Sequence, residues 1–141
     1  MISTEAKEYL GQIDFLDRLI QNKQFEVYQL KCLATNVTAP MGTEPVQNSN
    51  VSDKVGNITA KIVDLEIEIN GLIDQYIDEK QKRINLIEQI DDPLQYSILH
   101  KKYIQRKSLT EIAEEEHFSY VWVNKNHGYA LKKIQNFLNC I

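Results

Sequence analysis

Along the first third of the chain, apolar residues recur in alternating steps of four and three: Tyr9, Ile13, Leu16, Ile20, then Val27, Leu30 and Ala34. Lys23 is the one polar interruption, and Leu10, Leu19, Phe25, Tyr28 and Leu33 widen the stripe. Such steps keep side chains on one helical face, so the pattern predicts an amphipathic helix over 4–34 in need of a long partner. The same steps return over 55–90 with Ile58, Ile62, Leu65, Ile69, Leu72 and Tyr76, then Leu86 and Ile90. Glu79 and Arg83 fall off this pattern, and Ile67, Ile73, Ile77, Ile84 and Ile87 add a second apolar edge. Between the two runs lies TNVTAPMGTEPVQNSNVSDK, residues 35–54, with Pro40, Gly42 and Pro45 among Thr, Asn and Ser. That stretch reads as a flexible linker or, alternatively, as a binding loop. The simplest arrangement is an antiparallel helical hairpin. Its leftover apolar surface is covered either within the chain or by a second copy, in a homodimer.

Pattern and punctuation then change. In Asp92-Pro93-Leu94-Gln95, Asp92 can cap a helix, Pro93 fits its first position, and Gln95 stands where a side chain can reach back to the cap. The third helix carries Leu94, Ile98, Leu99, Tyr103 and Ile104 as its apolar residues, and Lys101, Lys102, Arg106 and Lys107 crowd its last turn. These cations suit the helix C-terminal dipole, or a phosphate. Ser108-Leu-Thr-Glu111 is a capping box that opens a short helix with Leu109, Ile112 and Ala113 facing inward. His117-Phe118-Ser119 breaks that helix. Phe118 is expected to plug the core under the turn, and Ser119 to cap a helix over 119–136. The inward stripe of that helix is Val123, His127 or Asn126, Ala130, Leu131, Ile134, and Phe137 or Leu138. A short helix, a tight turn and a second helix form a helix-turn-helix arrangement. The expected fold is all-α: a long N-terminal hairpin over 1–90, then a helix-turn-helix domain over 91–141.

Composition narrows the function. The chain has 141 residues, 43% apolar and 26% charged, as in a folded water-soluble protein. Its net charge is −4, unevenly spread: residues 1–90 hold 9 Lys+Arg against 14 Asp+Glu, whereas 91–141 hold 7 against 6. From 117 onward there are three lysines, Lys125, Lys132 and Lys133, and no acid, so only this end suits an anionic partner. Glu5, Lys7, Glu8 and Asp14 leave no apolar core for a leader within residues 1–15, and no run is apolar enough to span a membrane. A cytoplasmic protein with Cys32 and Cys140 reduced is therefore expected, with no disulfide between them. Zinc-ligand spacing, a Gly-rich phosphate loop and a Ser/His/Asp set are all missing, so neither an enzyme nor a cofactor is expected. Glu114-Glu115-Glu116 reads as a solvated helix face turned away from any polyanion.

With Val123 inward, Tyr120, Val121, Asn124, Lys125 and Gly128 face outward near the start of the last helix. Asn124 can pair bidentately with adenine, Lys125 can reach guanine or phosphate, and Val121 can touch a thymine methyl. Ser108, Thr110, Lys101, Lys107 and Lys132 are the candidates for DNA phosphate. Trp122 lies beside the core stripe, where it could pack, stack on a nucleotide sugar or dock on a partner. The alternative to DNA readout is a protein-interaction module resting on Tyr120, Trp122 and Tyr129.

Several of these residues match a known pattern. Leu99 with Tyr103-Ile104, Ser108-Leu109, Glu111-Ile112-Ala113, Ser119, Val123 and Ala130-Leu131 with Ile134 resemble the promoter-reading region four of bacterial sigma factors. The full layout, with Asp91-Asp92-Pro93, His127 and Ser52-Asp-Lys-Val-Gly-Asn57, resembles phage-encoded regulators of the ArpU/RinA type in Gram-positive bacteria. The resemblance is closest over 91–138. It implies a transcriptional activator of late genes acting in the bacterial host cytoplasm, with double-stranded DNA and RNA polymerase as partners. The chain departs from the pattern at four places. His117 stands at the turn position usually held by glycine, Glu116 replaces an apolar residue, and Asn126 replaces an aliphatic one. Gly128 interrupts the second helix at a cost of about 1 kcal/mol relative to Ala, either as a weak spot or for close approach to a DNA backbone.

Overall fold

The computed structural model describes residues 3–38 and 49–140. They form five α-helices, α1 (Ser3–Thr38), α2 (Ser49–Ile87), α3 (Pro93–Leu99), α4 (Leu109–Glu116) and α5 (Tyr120–Asn139), and a π-helical turn, His100–Ile104, continues α3. Among the described residues there is no strand, and no helix is long and apolar enough to cross a membrane. Helix claims both ends of the expected linker, and residues 39–48 lie outside the described residues. Thr, Asn and Ser are only mildly unfavourable in a helix that is already propagating. Thr35 and Thr59 also turn their hydroxyls back onto the carbonyls of Lys31 and Val55, at 3.0 and 2.8 Å, rather than breaking the helix. At its other end α2 stops at Ile87 instead of continuing to 90. The amides of Gln89 and Ile90 there donate to the carbonyls of Leu86 and Ile87, which tightens the chain before α3.

Two compact units divide the chain: Met1–Phe15 with Tyr76–Ile141, and Leu16–Gln75. In the first unit, Ala6 and Leu10 of α1 are buried with Leu86, Ile87 and Ile90, with Leu99, and with Ala130, Leu131 and Ile134 of α5. A second cluster, Ile98, Ile112, Ala113 and Val123, joins α3, α4 and α5. Both clusters follow the apolar periodicity. In the unit 16–75, Ile20, Val27 and Ile69 are buried. Lys23 reaches Glu68 at 2.9 Å and Lys31 reaches Glu66 at 3.6 Å, pairing later residues of α1 with earlier ones of α2. The widened edges of the two stripes split: Leu10 and Ile87 enter the core, whereas Phe25, Tyr28, Leu33, Ile67 and Ile77 are exposed. Cys32 and Cys140 are free thiols, both exposed.

The residue that broke the pattern in α2 is the least expected member of the interior. Arg83 is 2% exposed. Its Nε donates to the Tyr9 carbonyl at 2.8 Å, its two terminal nitrogens donate to Glu79 and Gln12, and the guanidinium lies 4.0 Å from the centre of the Tyr9 ring. Four of its five N–H groups are thus used, which is what a buried guanidinium requires. Arg83 and Lys82 together hold the Glu79 carboxyl below its ordinary range, mainly through hydrogen bonds.

Candidate nucleic-acid interface

Local chemistry fixes where α4 and α5 begin and end. The Ser108 hydroxyl accepts from the Glu111 amide at 3.1 Å while the Glu111 carboxylate accepts from the Ser108 amide at 3.2 Å, closing the capping box. At the other end His117 takes a left-handed conformation, φ 61° and ψ 40°. The Phe118 amide then donates to the Ala113 carbonyl and the His117 amide to that of Glu114, a Schellman closure with histidine where glycine is usual. The turn is made as expected, but Phe118 does not plug the core beneath it. Phe118 is 47% exposed and belongs to neither buried cluster. Ser119 caps α5 by accepting from the Trp122 amide at 3.1 Å.

Asp92 caps α3 by accepting from the Gln95 amide at 3.0 Å, but the reciprocal half of that box is not made. The Gln95 side chain is buried instead and donates to Asn126 Oδ1 at 3.3 Å, and Asn126 Nδ2 donates to the Trp122 carbonyl. Asn126 thus takes the aliphatic position as a polar link between α3 and α5. Beside it, His127 Nε2 and the Tyr103 hydroxyl are 2.8 Å apart. Burial drives the His127 imidazole down to about 4, with Lys102 and Lys7 adding to the effect, and burial also raises the Tyr103 phenol, so both groups are neutral at pH 7. The π turn sets Tyr103 against α5. The Gln105 amide closes onto the His100 carbonyl, and Arg106 then adopts φ 62°, its guanidinium on Asp14 of α1.

Tyr120, Val121, Asn124 and Lys125 are all exposed on the first turns of α5. Val121, Asn124 and Lys125, Gly128 and Lys132 follow steps that keep them on one outward face. Lys125 and Lys132 have no ion pair among the described residues. Ser108 and Thr110 are exposed at the start of α4. Trp122 and Tyr129 are each about half exposed, so neither ring is enclosed by the core. Lys101 and Lys107 are engaged within the chain. Lys101 Nζ lies 2.8 Å from Glu115 and 3.1 Å from Glu116, and Lys107 Nζ lies 2.7 Å from Glu115. Glu115 and Glu116 are therefore not a purely solvated face, although Glu114 is exposed. No sequence signal marks these pairs, because the partners stand on different elements and at no helical spacing. Among the described residues no group of His, Cys, Asp and Glu could hold a metal ion.

Comparison of the chain with protein families, with curated proteins and with solved structures finds no match.

Proposed function

We propose that the protein is a sequence-specific DNA-binding transcriptional regulator that lays the N-terminal half of α5 in the major groove. In this reading α4, the turn at 117–119 and α5 are a helix-turn-helix. Tyr120, Val121, Asn124 and Lys125 address base edges, and Ser108, Thr110 and Lys132 address phosphate together with Lys101 and Lys107. The observation that carries the proposal is the acid-free outward face of α5, with Asn124 and Lys125 exposed just beyond a capped N-terminus. Its fixed start and buried inner face give those side chains a rigid base, as base readout demands. The resemblance to phage regulators adds late-gene activation in a bacterial host. The long helices α1 and α2 then serve as an antiparallel hairpin for dimerisation or polymerase contact. A dimer compensates for the few cations each copy offers DNA.

The test is binding to a library of genomic DNA fragments at two salt concentrations, for the wild type and for Asn124→Ala/Lys125→Ala. The expected result is a fragment preference that the double substitution abolishes. No preference in the wild type, or unchanged selectivity in the variant, sinks the proposal. A second reading is favoured by the exposed rings of Phe118, Tyr120, Trp122 and Tyr129: a protein-docking face for RNA polymerase or another regulator. In that case Tyr120→Ala/Trp122→Ala abolishes capture of polymerase, and Asn124→Ala/Lys125→Ala does not.

A further inference from the structure

Two lysines suited to phosphate contact are occupied by carboxylates of the same unit, and this arrangement bears on how such a protein would tell one DNA sequence from another. Resting on the DNA reading above, we propose that Glu115 is a specificity-determining residue. It is an internal counter-charge that withholds Lys101 and Lys107 from phosphate, so that contact with arbitrary sequence is weak and base readout decides binding.

The cations come from different places. Lys101 belongs to the π turn and Lys107 directly precedes Ser108, the cap of α4. Both converge on one carboxylate: Glu115 Oε1 is 2.8 Å from Lys101 and 2.9 Å from Lys107, and Oε2 is 2.7 Å from Lys107. Glu116 adds a contact to Lys101, so two acids balance two bases. Accordingly the Glu115 carboxyl is held below its ordinary range, first by Lys101 and then by Lys107, and Lys101 is raised, first by Glu115.

A carboxylate and a phosphate offer an ammonium the same kind of oxygen, and lysine meets either one as a point charge on a flexible stem. Exchanging one for the other requires only rotamer changes. The side chains of the cluster are 21–37% exposed, so water and salt reach them and the exchange is open. By contrast Lys125 and Lys132, on the outward face of α5, have no such partner among the described residues. On α5 the base-facing Lys125 is thus unpaired among the described residues while Lys133 lies 3.6 Å from Asp91, and at the start of α4 Lys101 and Lys107 are held by Glu115.

The experiment measures binding of the full chain to a preferred genomic fragment and to an unrelated duplex across a salt series. The proteins are the wild type, Glu115→Gln, Glu114→Gln and Glu115→Gln/Lys107→Gln. Glu115→Gln is expected to tighten the unrelated duplex more than the preferred fragment, and to steepen the slope of log K against log salt by about 1–2, one counterion step per freed lysine. Glu114→Gln removes the same charge from an exposed carboxylate that pairs with no cation among the described residues, and is expected to leave the slope unchanged. Adding Lys107→Gln to Glu115→Gln is expected to reverse about half of the steepening. Should Glu115→Gln lose its helical circular dichroism, Glu115→Asp, with its carboxylate drawn back by one methylene, replaces it in the series. If the wild type binds but Glu115→Gln leaves the slope unchanged, or Glu114→Gln changes it equally, the counter-charge proposal is overturned and the DNA reading stands. If no protein in the series binds either duplex, both are overturned.

Discussion

The His127 ring packs against Tyr103 where the π turn meets α5, nearly out of water, with Lys102 and Lys7 adding positive charge around it. In an unfolded chain that imidazole takes up a proton near pH 6.5, whereas in the fold it does so only at about 4. Between those values the unfolded state binds the proton and the folded state does not. Stability therefore rises with pH across the window and is fully present above 6.5. The slope approaches about 1.4 kcal/mol per pH unit, and the whole window is worth on the order of 3 kcal/mol. Glu79 and Glu115, held below their ordinary 4.5, act in the lower range and lose their contribution as pH falls through their depressed values. Urea midpoints measured between pH 4.5 and 6.5 thus cover the window of His127, and His127→Gln is expected to flatten that segment of the curve relative to the wild type. Single residues were unevenly legible in the sequence. Spacing left His127 and Asn126 as alternatives for one place on the inward stripe, and both are buried. Arg83 broke its stripe, and its burial depends on Tyr9 and Gln12, more than seventy positions earlier in the chain. A linear pattern carries no record of such partners.

At the scale of helices, the ends were readable wherever the chemistry is local. Asp92, Ser108 and Ser119 each cap the helix that follows them, because an N-cap needs only its own side chain and an amide three residues on. The interruption at His100–Ile104 was not readable, since HKKYI carries no glycine, proline or insertion signal. Nor was the left-handed Arg106, which ends that turn. Within α5 the notable position is Gly128. A methyl added there meets no atom within 4 Å, so the fold does not need the glycine for space. Gly128→Ala is expected to stabilise the protein by about 1 kcal/mol, seen as a higher urea midpoint. Its effect on binding separates the two roles read for the residue. Unchanged fragment selectivity marks a plain weak spot, and weakened binding by a more stable protein marks close approach to the DNA backbone.

For the whole molecule, the apolar stripes showed that the long helices need partners but not which partners. The cluster around Leu99 and Ile134 also takes in Ala6, Leu10, Leu86, Ile87 and Ile90, so five of its nine buried residues precede position 91. Removing them would expose apolar surface at roughly 25 cal/mol per Å². A fragment of 91–141 is therefore expected to lack a cooperative thermal transition, whereas the full chain shows one by circular dichroism. A transition in the fragment comparable to that of the full chain would show the N-terminal residues to be dispensable. The charge asymmetry was legible as a count, but the count did not reveal that Lys101 and Lys107 are already occupied. The π turn has a consequence for how the chain can change length. A five-residue closure holds one residue more than the α-helical path it replaces, so the surplus residue between Leu99 and Gln105 can be lost while the flanking side chains keep their angular positions. Inside a regular α-helix such as α4 or α5, a one-residue deletion rotates the rest of that helix by about 100° and carries its inward stripe to the surface. The turn is thus a place inside the helical run from Pro93 to Ile104 where a shorter chain threads the same core.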